Sequence, residues 1–174
     1  HIRTIEMQAK VAMTRAKLLD DFSSYQEALE ALQVQLMVQE VNYGSVSIEV
    51  AATLNNLAWL HNKTLAIDLA LIEVERAIAI REKILGVWST GLVTPLINQA
   101  GILKSADKLD EMLASISLAL GLGWADRSYK EKLALFDLLS TYAQAVNNPQ
   151  AAIYFSKRAA EMALTGGRVL RLAN

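Results

Sequence analysis

The chain has 174 residues, of which 53% are hydrophobic, and its 17 basic and 18 acidic side chains leave a net charge of −1. That is too apolar for a disordered chain and lacks the basic excess of a nucleic-acid binder. The absence of cysteine excludes disulfides and thiolate chemistry, and no apolar run reaches the roughly 18 residues that a membrane span needs.

Ala, Leu, Glu, Gln and Lys dominate, all of them good helix formers, and period-2 strand patterns are scarce, so the fold class is all-α. The opening stretch, HIRTIEMQAK, is polar and reads as helix rather than as a leader, although the chain begins with His rather than Met, which suits a piece of something longer. Apolar periodicity and breaks then give eight helices in four hairpins, at about 2–20 and 25–42, 46–62 and 66–85, 92–104 and 108–120, and 127–146 and 149–164. The hairpin breaks fall at Ser23-Ser24, Lys63 to Leu65 and Asn147-Asn148-Pro149. Pro95 and Pro149 sit in first turns, where a missing N–H costs nothing. Gly166-Gly167 is read as the end of the last repeat, with RVLRLAN starting a further helix. The whole of 1–174 forms one domain with repeats at about 2–44, 46–88, 92–124 and 127–165.

Small residues mark where paired helices cross. Ala16 and Ala28, Ala58 and Ala70, and Ser140 and Ala152 are each twelve apart. The third repeat reads as an irregular copy, with Gly101 and Met112 as its pair and one residue deleted. The first small positions are then separated by 42, 43 and 39 residues. Gly44 and Gly86 follow second helices, as C-terminal helix stops.

Leu54-Asn55-Asn56-Leu57-Ala58-Trp59-Leu60 and Ala77-Ile78-Ala79-Ile80-Arg81-Glu82-Lys83-Ile84-Leu85-Gly86 resemble the long tetratricopeptide repeat of kinesin light chain. The resemblance implies a right-handed α-solenoid of about four helix hairpins and a protein or peptide partner. The segment Asn148 to Ala159 is similar, more weakly, to the last repeat before CHAT peptidase domains, which implies a sensor or adaptor portion of a larger assembly.

Little chemistry is expected. His1 and His61 have no metal-ligand spacing, no nucleophile elbow is present, and Gly121-Leu122-Gly123 follows a helix rather than a strand. Asp20-Asp21 and Asp110-Glu111 read as helix-end or outer-face carboxylates, and Trp88 and Trp124 as packing between repeats. No catalytic residue, cofactor or metal is assigned.

First helices line the concave face of such a fold. The positions three before the small residue give Met13, Asn55, Asn98 and Asp137, and those one after give Lys17, Trp59, Ile102 and Thr141. Asn55 and Asn98 suit the backbone of an extended peptide, and Trp59 suits an apolar anchor. Lys17, Asn55, Trp59, Asn98 and Asp137 are therefore the expected partner-binding residues. A clamp for acidic C-terminal tails is disfavoured, because Asp137 opposes Lys17 and no second cation joins it. The expected role is a cytoplasmic protein-interaction module and not an enzyme. The alternatives are a regulatory segment of a larger signalling enzyme or peptidase and, behind it, a homo-oligomeric scaffold; the oligomeric state is left open.

Overall fold

The computed structural model describes residues 2–123 and 127–172, with side chains as far as Leu164. Among the described residues all regular structure is helical. It comprises α1 (Ile2–Leu19), α2 (Phe22–Tyr43), α3 (Ile48–Lys63), α4 (Ile67–Leu85), a 3₁₀ turn (Thr90–Leu92), α5 (Val93–Ser105), α6 (Leu109–Gly121), α7 (Tyr129–Ala145) and α8 (Pro149–Leu172). Consecutive helices pair as α1/α2, α3/α4, α5/α6 and α7/α8. Between hairpins, α3 packs on α2, α5 on α4 and α7 on α6. The first helices also touch one another, α3 with α5 and α5 with α7, more extensively than the second helices do. The array therefore curves, with its first helices inside.

Two kinds of turn make this possible. Each hairpin turns through one non-glycine residue in the left-handed region: Asp20, Leu65, Asp107 and Asn147, with φ between 50° and 63°. Behind three of these the chain returns an N–H to the helix, from Ala66 to His61, Lys108 to Leu103 and Asn148 to Ala143, so the last helical carbonyls are satisfied. The connections between hairpins use glycine instead, at Gly44, Gly86 and Gly123, whose φ of 82–105° a side chain resists. Ser47, Ser128 and Asp21 cap the following helices by accepting backbone N–H bonds. The first turn thus lies at Asp20-Asp21 and not at Ser23-Ser24, because an Asp carboxylate at position 21 accepts from the Ser24 N–H. Gly166-Gly167 does not end the last repeat: α8 runs through both to Leu172, since glycine weakens a helix by about 1 kcal/mol without forbidding it.

Leu65 is the odd member of the turn set, because a branched side chain at φ 63° carries a steric cost with 81% of its surface exposed. Leu65→Asn, which tolerates that conformation, is expected to stabilise the chain by about 1 kcal/mol. For a chain of this size thermal denaturation then shifts upward by about 2–4 °C. An unchanged or lower midpoint refutes the strain.

The buried apolar residues gather in three clusters along the array. Ala16 and Ala28, and Ala58 and Ala70, are fully buried at the crossings, as are Ser140 and Ala152 to within 6%. In the third hairpin the crossing residue is Ala100, not Gly101. Ala100 is buried with Met112, which lies twelve residues on, while a Cβ on Gly101 would meet nothing within 4 Å. The third repeat is therefore regular and has no deletion, and the crossing residues 16, 58, 100 and 140 are separated by 42, 42 and 40 residues. The turn residues Leu65 and Asp107 keep the same 42-residue register.

Each junction between hairpins also carries side-chain hydrogen bonds. Thr53 Oγ1 donates to Gln39 Oε1 at 2.7 Å, both buried. Asn98 Nδ2 donates to Asn55 Oδ1 at 2.9 Å, and Thr94 Oγ1 to Glu131 Oε1 at 2.9 Å. Arg76 is paired with Glu40, and Arg81 donates to the Gly91 carbonyl at 2.7 Å.

Candidate functional site

The inner surface is built from the first helices, and at its N-terminal half it gathers an aromatic cluster. Tyr25, near the start of α2, sets its ring edge against Trp59 of α3, with centroids 5.9 Å apart and planes at 86°. Two lysines face the Trp59 ring, Lys17 at 5.6 Å and Lys63 at 5.5 Å from its centroid. Such contacts hold an indole in one orientation. Asp20, in the α1/α2 turn, fixes the outer lysine: Lys63 Nζ donates to its Oδ1 at 2.9 Å, and the Tyr25 hydroxyl donates to the same oxygen. The Lys63 and Tyr25 hydrogen bonds lower the Asp20 carboxyl, and the bond to Asp20 raises Lys63.

Lys17 has no such partner. Although the residue as a whole is exposed, crowding around its ammonium lowers it from the ordinary lysine range, and the charge of Lys130 on α7 lowers it further. Beside it a groove of about 380 Å³ opens between α1, α2 and α3, lined among others by Met13, Lys17, Gln35 and Asn56.

Three solved structures share the arrangement at low identity. BtubC (BKLC) from P. vanneervenii superposes with a TM-score of 0.73 at 18% identity, over 94% of this chain and 66% of that one. A chain described as a kinesin light chain with nearly identical TPR-like repeats, from Podosopora anserina, and a point variant of it each give 0.73 at 17% identity, over 95% of this chain and 77% of theirs. The chain is a tetratricopeptide-like solenoid. No family model and no curated protein matches it.

The corrected register of the third repeat redistributes the solenoid's inner positions. The residue matching Trp59 is Gly101, with open space at its Cβ, while Ile102, expected on the inner face, is 1% exposed and belongs to the core. Asn98 matches Asn56 rather than Asn55. Asn55 is 7% exposed and spends its Oδ1 on Asn98, so this pair joins the second and third repeats. Asn56, half-buried, is the asparagine that lines the groove. Asp137 is exposed in the middle of α7, and Thr141 turns its hydroxyl back to the Asp137 carbonyl. Of the five expected residues the structure brings together Lys17 with Trp59 and Asn55 with Asn98. Tyr25, Lys63, Asn56 and Lys130 join the setting from positions that repeat spacing did not single out.

The remaining polar residues have structural work. His61 is buried, with Nδ1 2.6 Å from Glu73 Oε2, tying α3 to α4; burial raises the Glu73 carboxyl and the histidine partly offsets that. Asp21 caps α2, and Asp110 and Glu111 sit in the first turn of α6, where the helix dipole favours carboxylates. Among the described residues no group of three or more His, Cys, Asp or Glu could hold a metal, and no helix is long and apolar enough to cross a membrane. Trp88 does not pack between repeats. The turn from Gly86 to Ser89 carries it outward and leaves it 83% exposed. Trp124 and His1 lie outside the described residues.

Proposed function

We propose that this solenoid is a protein-interaction module, acting by binding and not by catalysis, and that it takes an extended partner segment along the inner surface of its first three repeats. The observation that carries the reading is Trp59, held between Lys17 and Lys63 with Tyr25 at its edge, and with the empty Gly101 position one repeat further on. A rigid, half-buried indole beside unoccupied space suits an apolar partner side chain, since such aromatics dominate binding where they are already oriented. Lys17, with Lys130 facing it, adds positive potential that suits a carboxylate on the same segment. Asn56 at the groove supplies a donor and an acceptor for extended backbone.

Affinity capture with mass spectrometry identifies the partner, and titration then measures it. Trp59→Ala is expected to weaken binding by about 2 kcal/mol or more, some thirtyfold. Gly101→Trp, which leaves every core residue in place, is expected to fill the open inner position next to Trp59 and weaken binding with helical circular dichroism unchanged. Full affinity in both variants moves the partner off the inner surface and refutes the reading.

A further inference from the structure

Trp59 is one wall of a small compartment at the junction of the first two hairpins, and Tyr25 is the other. The two rings meet edge to face, at 86°, with centroids 5.9 Å apart. An ammonium stands in the angle between them: Lys63 Nζ lies 5.5 Å from the Trp59 centroid and 5.9 Å from that of Tyr25. Asp20 closes a third side, its Oδ1 accepting from Lys63 Nζ at 2.9 Å and from the Tyr25 hydroxyl. Two aromatic rings near a right angle, with a carboxylate at the rim, present negative potential to one point from three directions. That is a receptor for a cation, and here the chain's own lysine fills it.

The fold does not require this compartment. Where the first junction has Tyr25, Trp59 and Lys63, the repeat register places Ile67, Gly101 and Ser105 at the second and Leu109, Thr141 and Ala145 at the third. Neither set contains an aromatic ring or a cation. The walls are fixed, since Tyr25 is buried in the cluster against which Trp59 packs. The mouth is open: the side chains of Lys63 and Asp20 are 38% and 63% exposed. Lys63, the last residue of α3, reaches in on a flexible four-carbon stem, so the occupant is the part that can leave.

We propose that Tyr25, Trp59 and Asp20 form a binding site for a quaternary ammonium group, as carried by a trimethylated lysine side chain or a choline head, and that Lys63 is its built-in competitor. Exchanging one monovalent cation for another leaves the local charge unchanged, including the repulsion from Lys17, 5.6 Å from the same indole. An ordinary lysine from outside gains nothing over Lys63, which is tethered beside the site and therefore present at high effective concentration. A quaternary ammonium does gain, because its methyl groups meet aromatic faces well and its charge is easily desolvated. The site needs no partner segment along the rest of the inner surface, so it stands or falls separately from one.

Titration with tetramethylammonium chloride tests this, read by Trp59 fluorescence in a chain carrying Trp88→Phe and Trp124→Phe, with sodium chloride at equal ionic strength as the reference. Lys63→Ala empties the compartment and is expected to tighten binding by roughly tenfold or more, with circular dichroism unchanged. Lys63→Gln, which keeps a long side chain at the helix end, is expected to shift affinity in the same direction. Adding Asp20→Asn to Lys63→Ala is expected to lose most of that gain. Choline and the amide of Nα-acetyl-trimethyllysine then distinguish the two sources by which binds Lys63→Ala more tightly, and the unmethylated lysine amide is expected to bind more weakly than either. Fluorescence of Lys63→Ala that responds to tetramethylammonium no more than to sodium overturns the proposal. So does equal affinity with and without Lys63, or with and without the Asp20 charge.

Discussion

Leu60→Ala is expected to cost about 2–5 kcal/mol of unfolding free energy, whereas Leu18→Ala, at the same place one repeat earlier, is expected to change it by no more than about 0.5 kcal/mol. The two leucines are 42 residues apart and occupy equivalent turns of α3 and α1. What differs is the neighbour. Leu60 is fully buried in the cluster that joins α1, α2 and α3, so truncating it removes apolar contact and leaves a cavity that a close-packed junction only partly refills. Leu18 is 80% exposed on an uncovered face and has almost nothing to lose. Chemical denaturation followed by circular dichroism gives both values. Comparable losses at the two positions would mean that α1 is covered within the single chain.

Ala100→Leu and Gly101→Ala, one residue apart, are expected to act in opposite directions. Ala100 is fully buried against the Met112 cluster at the α5/α6 crossing, and added methyl groups there force side chains or helices apart, at a cost of about 1–3 kcal/mol. Gly101 lies inside α5 with open space at its Cβ, so alanine removes a helix-interior glycine without a clash and gains about 0.5–1 kcal/mol. Thermal unfolding of the two variants settles the register of the third repeat. A destabilised Gly101→Ala with a tolerated Ala100→Leu would restore the irregular repeat that the sequence suggests.

That slip of one residue marks where sequence reasoning ends. The hairpins are legible because crossing helices demand small side chains twelve apart, and in the first two pairs there is just one small candidate at each place, while in the fourth the twelve-residue spacing from Ser140 selects Ala152 over Ala151. In the third, Ala100 and Gly101 are both small, and smallness alone cannot choose between them. The burial of Leu96, Ala100 and Leu103 on one side of α5 chooses, and Asp107, a residue that accepts left-handed backbone, stands 42 after Leu65 as a second signal. The choice then moves Asn98 off the position of Asn55 and sends Ile102 into the core.

The inner cluster was legible in part. Lys17 and Trp59 follow from the repeat, because each lies one residue after a crossing alanine. Lys63 and Tyr25 do not, since they reach Trp59 from a helix end and from a second helix, and Asp20, which orients both, is a turn residue 43 positions from Lys63. Contacts set by turns rather than by helix faces have no period to betray them. Trp88 failed for the related reason that the glycine turn before it decides which way it points.

The polar contact between Gln39 and Thr53 also limits how such an array can change its length. Losing the 42 residues of the second repeat would bring α2 directly against α5 and set Gln39 opposite Pro95, which has neither hydroxyl nor N–H to offer. The buried amide oxygen of Gln39 would be stranded at the new junction, at a cost of about 1–3 kcal/mol. The hairpins share a shape without being interchangeable, and their order is written into the pairs that meet between them.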